Sequence, residues 1–231
     1  VDQTAPGESG DGNAIAFDDG QINASEQTNV AFTGTVEDDA TINSIVITDG
    51  QGGSVTVDAS DISVSGNDVS VAGQDLSELA DGELTVTMTV TDEAGNQGGV
   101  DDTATLDTGA DAGTVSVNNI TADDVINAEE AGQTITVSGR ASGGDIAAND
   151  PVTMTINGTE YTTTVDENGE WSVDVAGSDL AADTEFDVVV SSTDAAGNTV
   201  ETTATSTHTV DQTAPGCLLY TSPSPRDGLL S

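Results

Sequence analysis

Residues 82–92 read "GELTVTMTVTD", which sets Leu84, Val86, Met88 and Val90 on one side of the chain and Thr85, Thr87 and Thr89 on the other. "PVTMTING" repeats the alternation with Val152, Met154 and Ile156, "EWSVDVAG" with Trp171, Val173 and Val175, and "EFDVVVSSTD" with Phe186, Val188 and Val190. A period of two filled by β-branched residues marks strands with one buried face. Turn chemistry separates the runs: "DGQGG" at 49–53, "AGN" at 94–96, "NG" at 157–158 and "ENG" at 167–169. No stretch carries an amphipathic helical period; "DLSEL" at 75–79 and "DLAAD" at 179–183 are long enough for one turn each. The chain reads as all-β.

The same heptapeptide, "VDQTAPG", stands at 1–7 and at 210–216, with a blurred version, "LDTGADAG", beginning at Leu106. Other landmarks return at a similar interval. "INASE" at 22–26 comes back as "INAEE" at 126–130, "VAGQDL" at 71–76 as "VAGSDL" at 175–180, and "TDEAGN" at 91–96 as "TDAAGN" at 193–198. Internal self-similarity of this kind means copies of one structural unit. The expected domains are 1–106 and 107–209, with 210–216 opening a third copy. A unit of about 100 residues with about seven short strands fits an immunoglobulin-like β-sandwich, so two such domains are expected in tandem. In the second copy strands A to G are expected near 113–120, 132–140, 151–157, 159–165, 170–176, 184–192 and 199–209. The first copy follows the same order with less defined middle strands. Trp171 is expected in the second core.

Residues 217–231 break the pattern. "CLLYTSPSPRD" at 217–227 matches, letter for letter, the translation of the transposon-end primer of tagmentation libraries. The tail is read as sequencing-adaptor read-through and set aside. It holds the only Cys and one of the two basic residues, so 1–216 keeps Arg140 alone and has no cysteine pair to staple its sheets.

Charge then narrows the partners. The chain carries 42 Asp and Glu against 2 Lys and Arg, a net charge of −40. Such a surface repels nucleic acid and anionic membranes. Val, Ile, Leu and Phe make up roughly a fifth of the chain, near the composition of disordered proteins, and the strand pattern outweighs that signal. The partner that suits clustered carboxylates is a hard cation, calcium above all.

Connectivity says where the carboxylates meet. When strands alternate up and down, the incoming linker shares a pole with the F–G loop, and the A–B loop lies at the opposite pole beside the outgoing linker. "DEAGN" and "DAAGN" are F–G loops; "FDDGQINASE" and "ADDVINAEE" are A–B loops. At the central seam Asp18, Asp19, Asn23 and Glu26 are therefore expected to converge with Asp107 of the linker and with Asp194 and Asn198. The equivalent front seam uses Asp2, Asp92 and Asn96, and the back seam Asp211 with Asp123, Asp124, Asn127 and Glu130. Calcium takes six to eight oxygens from carboxylates, amides and carbonyls, and each set offers that chemistry.

"SVNNITADDVINAEEAGQTITVSGRA", "VTMTINGTEYTTTV", "WSVDVAGSDLAADT" and "STDAAGNTVETTATSTHTVDQTAP" resemble the tandem extender repeats of giant RTX adhesins, secreted by type I systems of Gram-negative bacteria. The resemblance covers essentially all of 1–216. It implies Ig-like domains joined end to end, with calcium rigidifying the linkers and neighbouring repeats as partners. It further implies display outside the cell on an outer-membrane-anchored adhesin, where the array projects a distal binding region for adhesion and biofilm formation. The first copy departs from the pattern at "DGQGGSVTVDASDISVSGNDV", and "LDTGADAG" lacks the Thr-Ala-Pro step.

Rival functions find less support. The sole His, His208, is expected on the surface of the last strand, and no phosphate loop, authentic Cys or paired-His metal motif suggests catalysis. A carbohydrate-binding accessory module, or a spacer in a secreted hydrolase, is the alternative. A sugar platform would show exposed aromatics, and these residues are only 3% of the chain.

Overall fold

A computed structural model describes residues 3–7 and 11–214. Asp2, the last two residues of the expected third-copy opening (215–216) and the 217–231 tail lie outside the described residues. The described residues divide into two compact units, one within 3–113 together with 143–146 and 191–202, the other of 114–142, 147–190 and 203–214.

In the first unit the strands are β1 (Ala14–Phe17), β2 (Gln21–Ile22), β3 (Val30–Thr35), β4 (Thr41–Thr48), β5 (Ser54–Thr56), β6 (Ile62–Ser65), β7 (Asp68–Gln74), β8 (Gly82–Thr91) and β9 (Gln97–Leu106). They form two sheets, in the orders β1-β3-β7-β6 and β2-β9-β8-β4-β5. Leu84, Val86, Met88 and Val90 of β8 are completely buried, as the alternation predicts, and pack with Ile45 and Ile47 of β4 and Phe32 of β3 in one core. The aromatic content of this core is a Phe17–Phe32 pair with ring centroids 4.9 Å apart. The region that departs from the repeat pattern splits between the sheets. β5 pairs with β4, a 3₁₀ turn (Ala59–Asp61) follows, and β6 pairs with β7.

The remaining strands are β10 (Thr114–Val117), β11 (Val125–Asn127), β12 (Thr134–Ser142), β13 (Pro151–Ile156), β14 (Thr159–Thr164), β15 (Glu170–Ala176), β16 (Glu185–Thr193), β17 (Thr199–Thr207) and β18 (Thr209–Asp211). A single helical turn, α1 (Gly177–Ala182), covers most of "DLAAD", whereas "DLSEL" makes only a hydrogen-bonded turn, Leu79 N to Leu76 O. The sheets run β10-β12-β15, β14-β13-β16-β17 and β11-β18. Val152, Ile156, Val175, Val188 and Val190 have no exposure and Trp171 is 3% exposed, as expected, whereas Val173, expected on the same face, is only half-buried. Trp171 lies opposite Gly139 of β12. A Cβ on Gly139 would collide with the indole and with the Ser116 carbonyl, so the ring occupies the volume that glycine leaves empty.

Two expectations are corrected. The first strand of each copy is not continuous: β1 pairs antiparallel with β3, then the chain crosses and β2 runs parallel to the end of β9. β10 and β11 do the same against β12 and β18. His208 is not a surface residue. It is 6% exposed, its Nε2 lies 2.7 Å from the Leu180 carbonyl, and its ring meets Phe186 edge-on at 6.3 Å. The carbonyls at the end of α1 need donors, and the imidazole supplies one.

Candidate functional site

Each A–B turn is organised by an Asn and by a Glu three residues later. Asn23 Oδ1 accepts from the backbone N–H of Ser25 (2.9 Å) and Glu26 (3.2 Å), and Glu26 Oε2 accepts from the Asn23 N–H (3.0 Å). In the second copy Asn127 Oδ1 accepts from Glu129 (2.9 Å) and Glu130 (3.0 Å), and Glu130 Oε2 from the Asn127 N–H (3.0 Å). This reciprocal pair is a capping box, built here on a turn rather than a long helix. It spends one oxygen of each Glu and leaves the other outward.

The F–G loops are equally repetitive. Asp194 Oδ1 accepts from the Asn198 N–H and Oδ2 from Asn198 Nδ2, both at 2.8 Å. Asp92 holds Asn96 in the same way, at 2.7 and 2.8 Å. These bonds to the Asn side chain, with further backbone N–H donors of each loop, hold both aspartates below their ordinary pKa of 3.8. The loop is thereby closed into a hook, with the Asn pairing back to the Asp at its base.

Within the first unit the hook of 194–198 engages the turn at 23–26. Asn198 Oδ1 accepts from the Ala24 N–H (2.9 Å), Asn198 Nδ2 donates to the Asp107 carbonyl (2.7 Å), and Asn23 Nδ2 donates to the Ala196 carbonyl (3.1 Å). The parallel pairing of β2 with β9 brings the linker alongside, with the Asp107 N–H on the Ile22 carbonyl at 2.9 Å. Asn23, Glu26, Asp107, Asp194 and Asn198 are thus gathered in one network. Ala24 and Ala196 take part through their backbone alone. No side-chain chemistry marks them, although the Asn-Ala step recurs at Asn127-Ala128.

Asp18 and Asp19 stand apart from this network. Asp18 Oδ1 accepts from Thr33 Oγ1 (3.0 Å) and Asp19 Oδ1 from the Gln21 N–H (3.0 Å), so the pair shapes the corner where the chain changes sheets. Asp123 and Asp124 do the same work. Asp123 Oδ1 takes Thr121 Oγ1 (3.0 Å), and Asp124, at φ 60°, takes the Ile120 N–H (2.9 Å). Asp211 is placed beside Asn127 by the β11–β18 register, and the N–H of Thr213 lowers its pKa.

The ligand atoms in the network around Asn23 and Asn198 are all oxygens: the carboxylates of Glu26 and Asp194 and the backbone carbonyls of Asp107 and Ala196. In kind they fit a hard cation, and they exclude the soft ligands that select zinc or copper. Among the described residues no group of three or more acidic, His or Cys side chains stands close enough to hold a metal by itself. A cation here would rely on carbonyl and amide oxygens and on lone pairs that the hydrogen bonds leave over.

The lowered pKa values set a pH dependence. A depressed carboxylate stabilises the fold above its unfolded pKa, and that stability is lost as pH falls through the lower, folded value. Melting midpoints are therefore expected to hold level near neutrality and to fall below about pH 4. Asp194→Asn should melt lower at pH 7 and lose less on acidification, as read by circular dichroism; an acid limb as steep as that of the parent would contradict the assignment.

No family model matches the chain, and no curated protein sequence matches it. Solved structures do. One, described as a Ca2+-stabilized adhesin that helps an Antarctic bacterium reach out and bind ice, is 50% identical over 87% of this chain and 49% of its own, with a TM-score of 0.66. A second, concerned with host cell surface retention of a 1.5-MDa bacterial ice-binding adhesin, is 49% identical over 87% of this chain and 66% of its own, with a TM-score of 0.63. A bacterial immunoglobulin-like domain from the M. primoryensis ice-binding adhesin is 74% identical over 44% of this chain and all of its own, with a TM-score of 0.44. The chain spans about half the length of the first of these.

Proposed function

Because the chain belongs to the bacterial immunoglobulin-like domains of large adhesins, we propose that it is part of a calcium-stiffened extender, a tandem array that holds a binding region away from the cell. Its domains are 1–106 and 107–209, with 210–216 opening the next repeat and 217–231 foreign to the protein. The array is secreted, stands on the bacterial surface on an outer-membrane-anchored RTX adhesin, and serves adhesion and biofilm formation. Its role is mechanical, and no step of catalysis is assigned to it.

The observation that carries this reading is the network in which the Asn198 amide reaches both the Ala24 N–H and the Asp107 carbonyl. It links the turn of Glu26, the backbone of Asp107 and the loop of Asp194 within the first unit, and like charges repel by about 1 kcal/mol per pair at 4 Å in water and more where water is excluded. Calcium relieves that repulsion. The protein's own part is positional: the capping box aims Glu26, the Asp194–Asn198 hook fixes the loop, and the β2–β9 pairing delivers Asp107. Asp211, Asn127 and Glu130 form the corresponding set at the back, and Asp2, Asp92 and Asn96 at the front. Asp18, Asp19, Asp123 and Asp124 serve the sheet-switching corners and contribute charge to the same poles.

Isothermal titration with calcium tests the assignment. Saturable binding in the range of about 0.1–1 mM is expected, as for extracellular modules. Replacing Glu26 by Gln and Asp107 by Asn together should abolish one class of sites; unchanged stoichiometry in that variant would contradict it.

A further inference from the structure

The chain has no lysine and two arginines, Arg140 and Arg226, the second in the 217–231 segment. A protease of the trypsin class needs Lys or Arg before the scissile bond, because a carboxylate lies at the base of its specificity pocket. In residues 1–216 that requirement is met at one bond, Arg140–Ala141. We propose that the folded repeats are closed to proteases specific for basic residues, and that such an enzyme can cut them only through opening of the second unit, at this bond.

The fold protects it on every side. Arg140 sits inside β12, the middle strand of the β10-β12-β15 sheet, facing Ser116 on one neighbour and Glu170 on the other. The scissile N–H, that of Ala141, donates to the Gly169 carbonyl at 2.8 Å, and Ala141 is 1% exposed. The guanidinium, although exposed, is engaged by Glu170 (3.4 Å) and by the Asn168 carbonyl (3.0 Å). A protease binds several residues of extended chain. Freeing them here means stripping a central strand from both partners, beside Trp171 and Val137 of the core. Strands with this much buried pairing open only near the free energy of global unfolding. When reclosing outpaces cleavage, the cut rate follows the open population.

This inference is independent of calcium. It suits a protein that must persist among secreted proteases, since even the unfolded repeats offer one target. Trypsin digestion of the full chain, followed by mass spectrometry, tests it. Under native conditions the expected cut within the repeats is a slow one after Arg140. Ile156→Val should speed the Arg140 cut by the same factor as it raises the unfolding constant. Sub-denaturing urea on the parent chain should do likewise, which keeps the test valid if the variant folds poorly. In strong denaturant before quenching, the repeats should yield two pieces only. A fast native cut after Arg140, insensitive to Ile156→Val and to urea, would overturn the proposal.

Discussion

Trp171→Ala is expected to lower the stability of the second unit by about 3–5 kcal/mol, the cost of removing a large aromatic side chain from a closed core. The ring is 3% exposed and fills the space over Gly139, which has no side chain of its own to occupy it. The unit has no disulfide to fall back on, because the only Cys is Cys217 in the tail. Trp171→Phe should cost much less, since it keeps most of the aromatic volume. It also removes an indole N–H that finds no acceptor among the described residues. Urea unfolding followed by circular dichroism gives the order parent, Phe, Ala. Equal midpoints for parent and Ala would show that Trp171 is peripheral.

Calcium should raise the melting midpoint strongly. A ligand present at 100 times its dissociation constant stabilises the folded state by about 2.7 kcal/mol per site. For a unit of this size that corresponds to roughly 10–20 °C. Trp171 is the only tryptophan, so its fluorescence reports the second unit selectively. Melts followed by circular dichroism, which also reports the first unit, are expected to differ by that amount between calcium and chelator, and the difference should shrink in Asn198→Ala, which loses the hook that joins the network. Coincident melts would remove the ion from the account.

The strand pattern was legible because antiparallel strands with one wet face alternate cleanly. Every inward position of "GELTVTMTVTD" is fully buried, and β13 to β17 lie within a residue or two of their expected bounds. What stayed hidden depends on partners far away in the chain. β2 and β11 are two and three residues long and exist only because they pair with β9 and β18, more than 80 residues on. His208 gave no sign of burial, since its partner is a backbone carbonyl at the end of α1.

At the site, spacing singles out the loops that meet around Asn23 and Asn198 but not the task of each carboxylate. Asn23 and Glu26, like Asn127 and Glu130, carry the Asn-x-x-Glu spacing of a capping box, a signal present in the sequence itself. Connectivity places the paired aspartates at 18–19 and 123–124 near the linkers but says nothing of their turn bonds, which depend on Thr33, Thr121 and the backbone of Gln21 and Ile120. The role of Asp49 depends in part on a backbone partner 31 residues on, at Ala80. Asp49 is 7% exposed and accepts from Gln51, Gly53 and Ala80, closing the "DGQGG" loop onto the segment before β8.

Small-angle X-ray scattering on the two-repeat chain, in millimolar calcium and again after chelation, tests the stiffening most directly. The account predicts a narrow distribution of dimensions with calcium and a broader one without it, restored when the ion is returned. Scattering curves that superimpose in the two conditions would contradict it.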